Sequence, residues 1–319
     1  TADIETRDWT SLASNLRRLT TSLDDAGDFS DQTIHSAFLK HIPPETEGNY
    51  RLGIRGIDSV CPMRSGMIHT IIALSGAGKT MLLNQIILYQ SLRYKDKSGI
   101  YFSMELSTGN QKRFFQQLLG NFIGVGGITS VDNIQSMVDN IYFDSTSETI
   151  DEIEQKIRQK KIDDPSFTFV YIDYFQLIET DIEGSDFYAN RKIMKRLLAL
   201  TRELDLFVVL LSQVDKKSAT EGEIGMFSAK GGDRLVENSS TIICLQHSRD
   251  DDVKKLFVEK YGDEYRPICI KIDKARECGF HKFAVAMEGG SRIFRDVGDE
   301  GVIHETMIGE LLLEGGEGE

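Results

Sequence analysis

The chain has 319 residues, 40% of them hydrophobic and 27% charged, and a formal net charge of −13. This balance excludes a disordered chain and fits one large α/β domain with an arm or tail, or two small domains. No apolar run approaches the ~18 residues that span a bilayer, and no segment reads as a signal peptide. The acidic total argues against a broad nucleic-acid surface, yet eight acidic residues and no Lys or Arg lie between Asp296 and Glu319. The rest is only mildly acidic, which leaves room for a local basic lining. Cys61, Cys244, Cys269 and Cys278 show no metal or redox spacing and read as reduced thiols of a cytoplasmic protein.

Residues 1–50 read as an arm. Trp9, Leu12, Leu16 and Leu19 recur at helical spacing, so one amphipathic helix must bury its stripe on this domain or on a neighbouring subunit. His41-Ile42-Pro43-Pro44 marks a linker. From Arg51 the pattern alternates strand and helix. Ile68–Ala73 is an apolar run entering a glycine loop, and Met81–Leu92 is a helix. Gly99–Met104 is a second strand, and Thr108 is placed to cap the helix after it. Ile141–Asp144 is a short strand, and Ile150, Ile153 and Ile157 give a helix one apolar stripe. The series continues with strand Phe167–Ile172, helix Arg191–Leu204 and strands Leu206–Leu211, Thr241–Leu245 and Ile268–Ile272. His281–Met287 follows as the return strand of a hairpin. Such alternation predicts an α/β fold with a mostly parallel sheet covered by helices on both faces. The expected divisions are an arm at 1–50, the main domain at 51–295 and an acidic tail at 296–319, whose low-complexity end Glu314–Glu319 reads as solvated.

In such sheets the working groups sit at the carboxyl ends of the strands. Ala73-Leu74-Ser75-Gly76-Ala77-Gly78-Lys79-Thr80 follows one of them. Its glycines let backbone N–H groups of Ser75, Gly76, Ala77 and Gly78 wrap phosphate oxygens. Lys79 places a charge on the β- and γ-phosphates, and Thr80 offers a hydroxyl to Mg²⁺ at a helix start. The first glycine of the usual pattern is Ala73 here, but the strand before and helix after the loop compensate. Asp173 ends a strand where a carboxylate can hold Mg²⁺ beside Thr80; taken alone it could simply cap the next helix. Glu105 ends another strand and is either a base for the attacking water or a helix N-terminal charge. Gln213 ends a third; a neutral amide there can sense the γ-phosphate. Lys274 and Arg276 stand near a hairpin tip, either as fingers on a neighbour's nucleotide or as solvated charges. The glycine-rich segment 215–234 carries Lys216, Lys217, Lys230 and Arg234, the best candidates for phosphodiester contacts.

Together these segments resemble the motor domain of the DnaB-type replicative helicases, within the RecA-like ATPases. Phe102-Ser103-Met104-Glu105-Leu106, Tyr171-Ile172-Asp173-Tyr174-Phe175-Gln176-Leu177-Ile178, Leu211-Ser212-Gln213 and Lys274-Ala275-Arg276-Glu277-Cys278-Gly279 stand in that family's order after the phosphate loop. The resemblance covers about residues 51–295. It implies a ring-shaped homo-oligomer, a hexamer, with ATP and Mg²⁺ between subunits and single-stranded DNA through its centre. Glu105 would be the base, Arg276 with Lys274 the trans fingers, and Lys230 a central-loop contact. A primase or a helicase loader would be a further partner. The separate N-terminal domain usual in the family is not seen before residue 51, and Gly231-Gly232-Asp233 replaces its arginine-rich loop. Recombination or regulatory ATPases without unwinding activity are the alternatives.

Overall fold

The computed structural model describes residues 45–122, 139–181, 186–214, 224–230, 232–248, 251–276, 278–297, 303 and 306–316. The helix expected around Trp9, and Lys216 and Lys217, lie outside the described residues. In chain order the elements are β1 (Asn49–Tyr50), α1 (Arg55–Val60), β2 (Met63–Arg64), β3 (Met67–Ala73), α2 (Lys79–Arg93), β4 (Ser98–Ser103), α3 (Thr108–Phe122), β5 (Ile141–Asp144), α4 (Ile150–Asp163), β6 (Phe167–Asp173), α5 (Asp186–Glu203), β7 (Phe207–Gln213), α6 (Gly232–Asn238), β8 (Thr241–His247), α7 (Asp251–Tyr261), β9 (Tyr265–Ala275), β10 (His281–Glu288), β11 (Phe294–Asp296) and α8 (Met307–Gly316).

Nine strands form one sheet in the order β11-β10-β9-β8-β3-β7-β6-β4-β5. From β8 to β5 every pairing is parallel, whereas β9, β10 and β11 add an antiparallel meander at one edge. The parallel strands read as unbroken apolar runs because both of their faces are covered. Alternation survives inside the runs: Phe207, Val209 and Leu211 of β7 join one core, and Val208 and Leu210 the other. The first core lies under α2 and α3 through Leu82, Ile86, Phe115 and Leu118. The second lies under α4 and α5 through Ile153, Ile157, Ile193 and Leu197. Helix α4 starts where the sequence supplies a capping box: Thr149 accepts from Glu152 N–H (3.2 Å), and the Glu152 carboxylate accepts from Thr149 N–H (3.0 Å).

His69 and Thr70 are buried in the middle of β3 yet satisfied. The His69 ring nitrogens lie 3.2 Å from Thr241 Oγ1 and 3.0 Å from the Arg64 carbonyl, and Thr70 Oγ1 lies 2.7 Å from Ser239 Oγ. One expectation needs correction. Thr108 is the first residue of α3 rather than its cap; its N–H donates to Ser145 Oγ (3.1 Å), so the loop after β5 meets the helix start. The described part of the acidic tail is also folded onto the domain. Asp296 accepts from the N–H groups of Arg55 and Gly56, and α8 buries Met307 and Ile308 in the first core while Glu310 pairs with Arg55. The acidic count of this segment concealed an apolar stripe. Among the described residues no helix is long and apolar enough to cross a membrane.

Candidate active site

The site forms where β3, β4, β6, β7 and β8 end. β3 gives way to the loop Leu74–Gly78, and α2 starts at Lys79. Gly76 (φ 79°) and Gly78 (φ 94°) both occupy the left-handed region that side chains disfavour. A Cβ on Gly78 would also stand 3.0 Å from the Phe294 ring. The loop closes through Ala77 N–H to the Leu74 carbonyl (3.2 Å), and the helix begins with Leu82 N–H to the Gly78 carbonyl (2.9 Å). The open N–H groups at this helix start form a positive end fit for phosphate.

Lys79 is 8% exposed. Burial lowers its pKa, opposed by attraction to Asp173 and Glu105. Thr80 Oγ1 donates to Asp173 Oδ2 (2.8 Å), and so does the Tyr101 hydroxyl (3.2 Å). Burial raises the Asp173 pKa, as does repulsion from Glu105, while the Thr80 and Tyr101 hydrogen bonds and Lys79 oppose the rise. Asp173 Oδ1 is buried without a hydrogen-bond partner. An orphaned carboxylate oxygen beside a threonine hydroxyl is a good donor set for a hard cation. Among the described residues no group of three His, Cys, Asp or Glu is placed to hold a metal by itself. A Mg²⁺ here would therefore share its ligands with nucleotide phosphates and water, as that ion prefers.

Glu105 is exposed just past β4, and its charge is felt by Lys79, Asp173 and Tyr174. The turn carrying it is braced: Met104 N–H donates to the Asp173 carbonyl (3.0 Å), Ser103 Oγ to the Leu106 carbonyl (3.0 Å) and Gln111 Nε2 to Ser103 Oγ (2.7 Å). Gln213 ends β7 opposite Ala73 of the phosphate-loop strand, half-buried and hydrogen-bonded to the Tyr174 hydroxyl.

His247, which the sequence did not single out, ends β8 and hydrogen-bonds the Gly76 backbone. Burial and the nearby charges of Arg266 and Lys254 hold its pKa below the usual value, so at neutral pH it meets the phosphate loop as an uncharged ring.

Other expected residues lie elsewhere. β9 runs antiparallel to β8, with Ala275 opposite Thr241. Lys274 and Arg276 therefore stand at the amino ends of the parallel strands. The seven-residue length of β8, about 20 Å at ~3.3 Å per residue, separates them from their own phosphate loop. Arg276 is exposed there. The Lys274 ammonium donates to the Val236 and Glu237 carbonyls, at the carboxyl end of α6. Burial and Arg276 repulsion lower its pKa. A cation is stabilised at such a helix end, so Lys274 is occupied within its own chain. Arg234 is likewise engaged, paired with Glu237 and lying 5.7 Å from the Phe187 ring centroid. Lys230 is exposed at the β7 end of the sheet.

A glycine loop on a central parallel strand, with carboxylates at neighbouring strand ends, is the arrangement of a RecA-like α/β fold. The model of the DnaB-like helicase C-terminal domain matches residues 53–296, and the chain belongs to that family. Among solved structures, an ATPase domain superposes with a TM-score of 0.63 at 21% identity, covering 78% of this chain and 92% of that one. The structure of a DnaB-like replicative helicase and its interactions with primase gives a TM-score of 0.63 at 18% identity, covering 91% of this chain and 76% of that one. No curated protein sequence matches the chain.

Proposed function

We propose that this chain is the ATP-hydrolysing motor of a replicative DNA helicase, which moves along single-stranded DNA as a ring and unwinds duplex. The observation that carries the proposal is Asp173: buried, held by Thr80, with one oxygen free beside Lys79, in a chain of the DnaB-like family. Backbone N–H groups of residues 75–80 cradle the phosphates, and Lys79 neutralises charge on them. Thr80 and Asp173 would hold Mg²⁺, which supplies charge neutralisation on the β- and γ-phosphates. Glu105 accepts a proton from the water that attacks the γ-phosphorus; the bond to the β–γ bridging oxygen breaks, releasing ADP and phosphate. Gln213 reports the presence of the γ-phosphate. Arg276 cannot reach its own site across the sheet, so it serves the nucleotide of the adjacent subunit. Lys230, with Lys216 and Lys217, contacts the DNA backbone. A primase or helicase loader fits the same reading as a partner.

The test is ATP hydrolysis with and without single-stranded DNA, for the wild type and for Glu105→Gln. Strong DNA stimulation, lost in the variant, is the expected result. DNA-independent hydrolysis in an assembled ring would point to a regulatory ATPase instead, and full activity in Glu105→Gln would remove its assignment as base. Mixing Arg276→Ala with Glu105→Gln subunits should restore some hydrolysis at interfaces that pair an intact Glu105 with an intact Arg276. Absence of restoration at every ratio would count against a finger in trans.

A further inference from the structure

Ala229 and Lys230 lie against the end of β7. Lys230 N–H donates to the Gln213 carbonyl (2.7 Å), and Val214 bridges Ala229 in antiparallel fashion. These ties use backbone alone. A third comes from a different strand. Gln176 lies in the 3-10 turn Phe175–Leu177, which follows Asp173 at the end of β6. Its Oε1 accepts from Gln213 N–H (3.2 Å), and its Nε2 donates to Ser212 Oγ (2.7 Å) and to the Lys230 carbonyl. The Ser212 hydroxyl also reaches the Lys230 carbonyl (3.2 Å). One planar amide thus spans three parts of the molecule: the turn after the metal-site carboxylate, the sensor strand, and the exposed Lys230.

We infer that Gln176 is a positioning residue that couples the nucleotide state read at Gln213 to the placement of Lys230, so that the grip on single-stranded DNA follows the nucleotide. The inference rests on the roles proposed above for Gln213 and Lys230. The physical reason is the double character of the amide. It accepts from the sensor backbone and donates to the loop backbone through one rigid plane, so a shift of Gln213 must either move Lys230 or break a hydrogen bond. A coupling of this kind requires an element with two arrangements that both sites bias. Lys230 is placed to be biased from both sides: its side chain is exposed, and its backbone is held by a few hydrogen bonds to Gln176, Ser212 and Gln213.

The test measures binding of a fluorescent oligo(dT) to the full chain by anisotropy, with Mg²⁺ and either ATPγS or ADP. The wild type should bind with affinities about tenfold apart in the two states. Gln176→Leu should reduce that ratio to under about twofold, while the ADP-state affinity persists because Lys230 keeps its charge. Gln176→Glu keeps an acceptor for Gln213 N–H and removes the donor to Lys230; it should lose the ratio too, and it decides the matter if the leucine variant fails to fold. Lys230→Ala leaves the amide clasp in place but removes the charge that the clasp positions; it should weaken the tighter-binding state most and shrink the ratio as well, and a ratio kept in full would overturn Lys230 as the group that is moved. Folded Gln176 variants that retain the wild-type ratio would overturn the inference while leaving the motor reading intact. A wild type that binds no single-stranded DNA in either state would instead overturn the motor reading, and this inference with it.

Discussion

Gly76 and Gly78 separate two reasons for a glycine in one loop. Both residues have positive φ, so alanine at either position costs about 1–2 kcal/mol for the left-handed backbone. At Gly76 nothing lies within 4 Å of the added Cβ, and the cost ends there. At Gly78 the Cβ would stand 3.0 Å from Phe294 Cζ and 3.6 Å from Met287 Sδ. Phe294 cannot easily retreat. It is 1% exposed, and Gln85 clamps its backbone from both sides: the N–H donates to Oε1 (2.9 Å) and the carbonyl accepts from Nε2 (2.8 Å). Overpacking of this kind costs about 1–3 kcal/mol more. Urea unfolding with an unchanged slope should therefore rank Gly78→Ala below Gly76→Ala by about 1–3 kcal/mol. Equal midpoints for the two variants would refute the packing argument and leave backbone conformation as the whole reason for Gly78.

The buried ring of His69, with its pKa pushed down to about 4, resists a proton that the unfolded chain takes up near 6.5. Below that pH the unfolded state binds more protons, so stability should fall as pH drops and level off below about 4, by about 3 kcal/mol in total. Asp58 works in the opposite sense, since burial pushes its pKa up to about 7 and the stability held by its neutral form fades as pH rises towards that value. The measurement is therefore the difference between wild type and His69→Asn in urea midpoints at several pH values, and an identical pH slope would remove the assignment. Lys274→Ala should lose about 1 kcal/mol of stability by uncapping α6, whereas Arg276→Ala should change stability by less than about 0.5 kcal/mol and abolish hydrolysis. Lost hydrolysis in Lys274→Ala at unchanged stability would return Lys274 to the role of a finger. Tyr101→Phe removes one donor from Asp173 and should raise the Mg²⁺ needed for half-maximal binding of a fluorescent ADP by about tenfold, the worth of a hydrogen bond to a charged group; an unmoved Mg²⁺ titration would show that the hydroxyl does not position the carboxylate.

Strands β3, β4, β6 and β7 were legible because each is an apolar run that stops at a polar residue, and the stops are the phosphate loop, Glu105, Asp173 and Gln213. The same habit hid His247. The apolar run of β8 ends at Leu245, but the strand continues through Gln246 and His247, whose polarity reads as loop until the neighbouring phosphate loop is in place. The contacts of Lys274 were hidden for a related reason: the carbonyls it meets belong to Val236 and Glu237, far away in sequence, and no local pattern reports a helix end arriving beside a strand. The helix over Met307–Gly316 was obscured because charge was counted without regard to periodicity.

In the motor proposed above, the direction of β9 would link hydrolysis to assembly. An antiparallel strand beside β8 carries the hairpin between β9 and β10 to the end of the sheet opposite the phosphate loop. Arg276 and Phe280 are both exposed at this tip. In an isolated chain the Arg276 charge is screened by water and acts on no phosphate. Only a second subunit, laid with its strand ends against this tip, removes that water and brings the guanidinium to developing negative charge, where its interaction is far stronger. On the proposed reading, a single chain would hold the loop, cation site and base of one half-site at the carboxyl ends of its strands, and the finger for another half-site at their amino ends. With two such half-sites on opposite ends of one sheet, contact between subunits would be heterologous, and it would be satisfied for every subunit only when the array closes on itself or extends without limit.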